Sequence, residues 1–432
     1  MEISVKELPG KITASSVYTG KFKTNCLSVN FILPLERETV TKTALLRGLL
    51  TRGCEGYPSF ERIGARMCDL YGASLTVETK VYGDLLSLSF TSEFLCDRYA
   101  DDGTKIFSGI TDMMRRIIFY PITVNGGFDP EYTENEKQRL EDEIKSLINE
   151  KGAYAAARMY EIMFEGGAGA IPKIGYAEDI PSIDPVGEYL YYKDLVSCSP
   201  VVVYSVGELK QNELENAVNG IFSLSERKNV RSVKQGEITC PVHSGVRTEI
   251  EEMDVAQCKL AIGCRTGVLA TDSEKYAHML LANEILGASP IAKLFMYVRE
   301  ELGLCYDCSS RFSGALGAAF IYAGVDENDL KKALNAIKLT LNEVKKGDFT
   351  AEELEIAKRS LVSAIRSGFD SPRYIISFYL SRLLAGVEDT PDELARRIAY
   401  ATAEDVVDAA SSMEWDTVYV LCSDKKAAKE RL

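Results

Sequence analysis

Three features of the sequence predict an α+β fold of two homologous tandem domains, each a mixed, mostly antiparallel sheet with helices packed on one face. The first is an internal repeat with a period of about 220 residues. Phe128-Asp129-Pro130-Glu131 opens a charged segment that runs through Lys137, and Phe349-Thr350-Ala351-Glu352 opens a similar one through Lys358. The second is that each half closes on a β-branched and aromatic run, Val201-Val202-Val203-Tyr204 and Thr417-Val418-Tyr419-Val420. The third is that stretches of period two and period 3.6 follow one another between these landmarks, which suits a sheet layered with helices.

The elements follow in order. Asn25 to Leu35 alternates and is β-rich, so it reads as a strand. Leu45, Leu46, Leu49 and Leu50 recur at helical spacing, and Pro58-Ser59 starts the next helix with Ile63, Met67 and Leu70 on one face. Ser74 to Tyr82 and Leu85 to Thr91 flank Gly83-Asp84, a hairpin signal. The repeated charged segment from Phe128 to Ile144 is a helix, and Leu354, Ala357, Leu361 and Ile365 form the apolar stripe of its second copy. Leu70-Tyr71-Gly72 and Leu302-Gly303 each end a helix before a strand. Residues 225–247, rich in Lys, Arg, Ser and Gly, read as a linker between domains at 1–224 and 248–432.

Composition narrows the function. Sixty-four acidic residues against 50 basic ones give a net charge of −14, which argues against nucleic acid or an anionic membrane as partner. The longest uncharged run, 312–325, falls short of the ~20 apolar residues that a bilayer requires. The first ten residues lack a basic stretch followed by an apolar core, so a cytoplasmic location is expected. The 11 cysteines are scattered, as buried thiols would be. Cys305 and Cys308 have CxxC spacing, but no second knuckle exists for zinc and the segment reads as a strand, so they too are expected to be structural. Only two histidines occur, His243 and His278. Most neutral-pH acid/base chemistry and most zinc sites use histidine, so any catalytic reading must explain that scarcity.

The segment Arg299-Glu300-Glu301-Leu302-Gly303-Leu304-Cys305-Tyr306 resembles the R-E-x-L-G-x-x-Y stretch in the second domain of the pitrilysin/insulysin-type zinc metallopeptidases, a family that includes mitochondrial processing peptidase. The resemblance extends to the repeat, the Phe128–Ile144 helix, Ile174-Gly175-Tyr176-Ala177-Glu178 and the Val201–Leu209 strand with its following glycine. In that family the first domain carries H-x-x-E-H on a helix. Two histidines at i and i+4 hold zinc from one face, the glutamate acts as general base, and a later glutamate completes the ligand set. Anchored on Leu49-Leu50-Thr51-Arg52-Gly53, the resemblance places Ala44, Arg47 and Gly48 where the family has His, Glu and His, and Glu134 at the third ligand. It therefore implies a degenerate zinc site and no cofactor in this chain. A salt bridge between Arg47 and Glu134 is expected to replace the metal.

Some members of the family also use an Arg and a Tyr seven residues apart, which bind the substrate backbone and stabilise the tetrahedral oxyanion. Arg299 and Tyr306 match both types and the spacing. Guanidinium and phenol are both hydrogen-bond donors suited to developing negative charge. The resemblance thus implies the zinc-less subunit of a heterodimeric peptidase, with Arg299 and Tyr306 as substrate-binding and catalytic residues acting in trans. Its partner would be a homologous subunit bearing H-x-x-E-H and the only zinc, and its substrate a peptide. The alternative is a structural or peptide-binding homologue with no role in proteolysis. There Arg299 would pair with Glu300, Glu301 or Asp307, and Tyr306 would be a half-buried strand aromatic.

Overall fold

The structure, a computed structural model, describes residues 1–223, 227, 229–233 and 245–431. They gather into two compact units. One holds Met1–Lys145, Ile171–Gly236 and Ser371–Ser381, and the other holds Ser146–Ala170, Glu237–Asp370 and Arg382–Leu432. Each half of the sequence therefore lends one segment to the other half's unit. Part of the expected linker belongs to the first unit, where Arg227 donates to the carbonyls of Gly10 (3.0 Å) and Val196 (2.5 Å) and Arg231 pairs with Asp194 (2.5 Å). Residues 234–244 of it, His243 included, lie outside the described residues, and its last residue, Arg247, already begins the first strand of the second unit.

In the first unit, β1 (Glu2–Leu8), β2 (Ile12–Tyr18), β3 (Thr24–Pro34), β4 (Ser74–Tyr82), β5 (Leu85–Leu95) and β8 (Val201–Gly207) form one sheet. Its order is β1-β2-β8-β3-β5-β4, and only β2 and β8 run parallel. A small ribbon of β6 (Thr123–Val124) and β7 (Gly127–Phe128) lies apart. The β4–β5 turn uses Gly83 at φ +66°, as the hairpin signal predicted. Strand β3 is buried on both faces from Asn25 to Leu33, so its polar side chains must be satisfied internally. Asn30 donates to the Val202 carbonyl (2.9 Å), and Ser28 bonds Thr91 (3.0 Å). The helices are α1 (Arg37–Leu49), α2 (Phe60–Asp69), α3 (Ile106–Phe119), α4 (Pro130–Ser146), α6 (Pro185–Cys198) and α7 (Gln211–Phe222).

In the second unit, β9 (Arg247–Glu252), β10 (Cys258–Arg265), β11 (Cys305–Ser313), β12 (Ala318–Val325) and β13 (Glu414–Cys422) form a sheet ordered β11-β12-β10-β13-β9. Only β13 and β9 pair in parallel. Helices α8 (Ser273–Asn283), α9 (Leu330–Lys346), α10 (Ala351–Gly368), α12 (Pro391–Tyr400), α13 (Ala403–Ser411) and α14 (Lys425–Glu430) accompany it. Thr350 and Glu353 close a reciprocal capping box at the start of α10.

The lent segments explain how two sheets with largely buried strands are covered. Helix α5 (Lys151–Met163) comes from the first half, yet its ladder of Ala155, Met159 and Met163 packs with Ala261, Phe320, Tyr419 and Leu421 of the second sheet. Gly263 on β10 makes this approach possible, because a Cβ there would run into the sulfur atoms of Met163 and Met159. In return the first turns of α11 (Pro372–Leu384) join the first unit, where Arg373 lies 3.7 Å from Glu93. Among the described residues no helix is long and apolar enough to cross a membrane.

Candidate functional site

Helices α1 and α4 carry the positions at which the sequence implied a degenerate metal site. Val40, Ala44 and Leu45 bury one side of α1, leaving Arg47 and Gly48 beside α4. Helix α4 is almost wholly polar, and its buried positions are Thr133, Glu136 and Leu140. This spacing of three and four defines the inward stripe, and Glu143 continues it.

The expected Arg47–Glu134 salt bridge does not form. Glu134 is 77% exposed and pairs with Lys137 on its own helix (3.4 Å). It precedes Glu136 by two residues, which turns it about 200° around the helix. Arg47 instead grips Glu143 with both terminal nitrogens, at 2.9 and 3.4 Å, while its Nε donates to the Ala44 carbonyl (3.0 Å). Deeper in the crossing, the Glu136 side chain is only 5% exposed. It accepts from Arg52 Nε at 2.5 Å and from Arg139 at 3.1 Å. Its carboxylate fills the space that a Cβ on Gly48 would need. Sequence reading missed Glu136, Glu143 and Arg52, although the inward stripe of α4 was available as a signal.

These residues do not suit zinc. Ala44 and Gly48 supply no donor, Arg47 brings a positive charge, and the one buried carboxylate is committed to two arginines. Among the described residues no three His, Cys, Asp or Glu side chains converge as a metal site. His278 lies 3.8 Å from both Glu274 and Asp405 in the second unit.

Arg299 and Tyr306 both lie in the second unit. Arg299 sits on a wide-turned helix, Leu294–Glu301, whose backbone closes five-residue turns, with Leu302 N–H bonded to the Tyr297 carbonyl at 3.0 Å. Gly303 at φ +62° then reverses the chain into β11. The guanidinium of Arg299 stacks over the Phe295 ring (4.4 Å to its centroid) and its Nε lies 3.5 Å from Glu300. One part of the non-catalytic expectation, the Arg299–Glu300 contact, is therefore present. The other part is not, because Tyr306 is 75% exposed. It occupies a β-bulge: Cys305 pairs with Val325 and Asp307 with Gly324, leaving Tyr306 as the extra residue. Strand β11 is also the edge of its sheet. No hydrogen bond joins Arg299 to Tyr306; on adjoining elements, the Arg299 side chain is partly exposed and Tyr306 is largely exposed.

With this geometry in hand, comparisons identify the chain's relatives. Residues 189–361 match the sequence profile of a family described as "Peptidase M16 inactive domain". The chain is 26% identical over 417 residues, 96% of its length and 97% of the relative's, to the "Probable inactive metalloprotease YmfF" of Bacillus subtilis (strain 168). It is 23% identical over 282 residues, 65% of this chain and 67% of that protein, to the "Uncharacterized zinc protease YmxG" of the same organism. Its fold matches a conserved protein from Enterococcus faecalis V583 (TM-score 0.88, 24% identity, 98% of this chain and 99% of the other). It also matches a peptidase M16 inactive domain from Pseudomonas fluorescens (TM-score 0.82, 18% identity, 98% and 99%). Residues 189–361 are thus similar to a peptidase M16 inactive domain, and nearly the whole chain is similar to a probable inactive metalloprotease.

Proposed function

We propose that this chain is the zinc-less partner of an H-x-x-E-H-bearing homologue and that Arg299 and Tyr306 serve peptide hydrolysis in trans. The observation that carries this reading is the placement of Tyr306. A large aromatic at 75% exposure on a bulged edge strand has no packing role to explain it, and its hydroxyl is open to a ligand. Arg299 offers a planar set of donors to a peptide carbonyl, and the phenol offers one donor to an oxyanion. The α1–α4 crossing supports the division of labour, since its ion pairs leave no ligand set at that crossing. Similarity both to a relative named inactive and to one named a zinc protease fits a family in which the two roles are separable.

A structural or peptide-binding role is the second reading, favoured by the Phe295 and Glu300 contacts that already engage Arg299. Cleavage of a peptide library by the chain alone, by an H-x-x-E-H homologue from the same genome alone, and by the mixture separates the two. The mixture alone should cleave. Full activity of the homologue by itself would overturn the trans reading.

A further inference from the structure

Residues three apart on a regular strand face opposite sides of the sheet, so CxxC within a strand ordinarily means two unrelated thiols. The bulge at Tyr306 alters that geometry. Cys305 stands opposite Val325 and Cys308 opposite Ala323, two residues apart on the regular strand β12. Two residues of strand advance about 6.7 Å, at the upper edge of the roughly 4.4–6.8 Å between Cα atoms that a disulfide bridges. Both cysteines consequently turn to the same buried side, 7% and 4% exposed, while Tyr306 and Asp307 between them face solvent. Both are free thiols in the structure.

We infer that Cys305 and Cys308 are a peroxide-reactive dithiol that closes into a disulfide across the bulge presenting Tyr306. The position of β11 at the sheet edge gives a small uncharged oxidant a route to the pair. The electrostatics agree with the geometry. Cys305 is lowered from the ordinary thiol value, chiefly because the Cys308 thiol hydrogen-bonds its thiolate; the charge of Arg299 adds to this, against burial and Asp307. Cys308 moves upward for the same reason, as the partner that keeps the proton. By contrast, burial pushes Cys26, Cys258 and Cys264 up to about 12.

The chemistry balances in two steps. The Cys305 thiolate attacks one oxygen of a peroxide, the O–O bond breaks, and hydroxide leaves and is protonated to water, giving a sulfenic acid. The Cys308 sulfur then attacks the Cys305 sulfur, the S–O bond breaks, and a second water leaves with the Cys308 proton. Two thiols and one hydrogen peroxide become one disulfide and two waters. This assignment stands independently of the partner role proposed above.

The test uses the full reduced chain, brief exposure to hydrogen peroxide, alkylation of the remaining thiols and peptide mapping. The expected result is a 305–308 cross-link that dithiothreitol reverses, formed at least about tenfold faster than oxidation of Cys26 or Cys264. Cys308→Ser should halt at a sulfenic acid on Cys305 that dimedone traps, and Cys305→Ser should lose the fast reaction. The inference is overturned if both thiols remain alkylatable while other cysteines oxidise, or if Cys308→Ser yields no dimedone adduct at Cys305. Retained secondary structure by circular dichroism confirms that each variant is folded when scored.

Discussion

The carboxylate of Glu136 lies in the space that a side chain at Gly48 would occupy, so α1 and α4 close on ion pairs at their crossing. Gly48 and Glu136 should therefore be energetically coupled. Glycine inside a helix ordinarily costs about 1 kcal/mol relative to alanine. Gly48→Ala should fail to stabilise the wild-type chain, because Glu136 is held by Arg52 and Arg139. In a Glu136→Ala background the same substitution should recover up to about 1 kcal/mol. Urea unfolding of the four variants measures the coupling, and an equal effect in both backgrounds would contradict it.

Arg47 and Glu143 form a half-exposed pair, so its worth is small. Glu143→Gln should lower stability by about 0.2–1 kcal/mol, an effect that fades at high salt. Glu134→Gln, on the solvent side of α4, should be neutral within error. Melting temperatures at low and high ionic strength distinguish these outcomes. A larger loss from Glu134→Gln would mean that the inward face of α4 has been misassigned.

Stability should be independent of metal. Ala44, Arg47 and Gly48 offer zinc no donor, so a chelator should leave the melting temperature unchanged and added zinc should not raise it by mass action. Stoichiometric zinc in the purified chain would refute this reading of the crossing.

Glu188 on α6 predicts a pH dependence. Both its oxygens are buried without a hydrogen-bond partner. Burial raises its folded-state value well above that of an ordinary carboxylate; Lys42 opposes this and Asp184 adds to it. The folded chain therefore keeps a proton that the unfolded chain releases, and stability falls as pH rises from the ordinary carboxylate range through the raised folded value. Glu188→Met removes that loss. Wild type should thus lose stability relative to Glu188→Met as pH rises above the ordinary carboxylate range, as followed by urea midpoints. Parallel profiles would count against it.

Much of this architecture is legible in the sequence, because local periodicity is a local property. The β4–β5 hairpin, the capped α10 and the strands at 201–207 and 414–422 follow from alternation, turn glycines and caps. The exchange of α5 is not legible, because Ala155, Met159 and Met163 specify an apolar face and say nothing of which sheet receives it. Gly263, small enough to admit those methionines, carries meaning only once both elements are placed. The expected Arg47–Glu134 salt bridge failed for a related reason. The resemblance pointed to Glu134, whereas the inward stripe through Thr133, Glu136 and Leu140 turns Glu136 and, further along, Glu143 toward α1. The bulge that turns Tyr306 outward and pairs Cys305 with Cys308 is also a property of strand pairing, invisible along a single strand.

The most direct measurement of the central claim is kcat/KM for peptide cleavage by the mixture of this chain with its H-x-x-E-H homologue, repeated with Arg299→Ala and Tyr306→Phe. Tyr306→Phe removes one exposed hydroxyl and leaves the packing intact. Loss of an oxyanion donor reduces turnover by a factor on the order of 10²–10³, and a fall of that size with binding of the two chains preserved is the result expected here. Unchanged cleavage with both variants would contradict it.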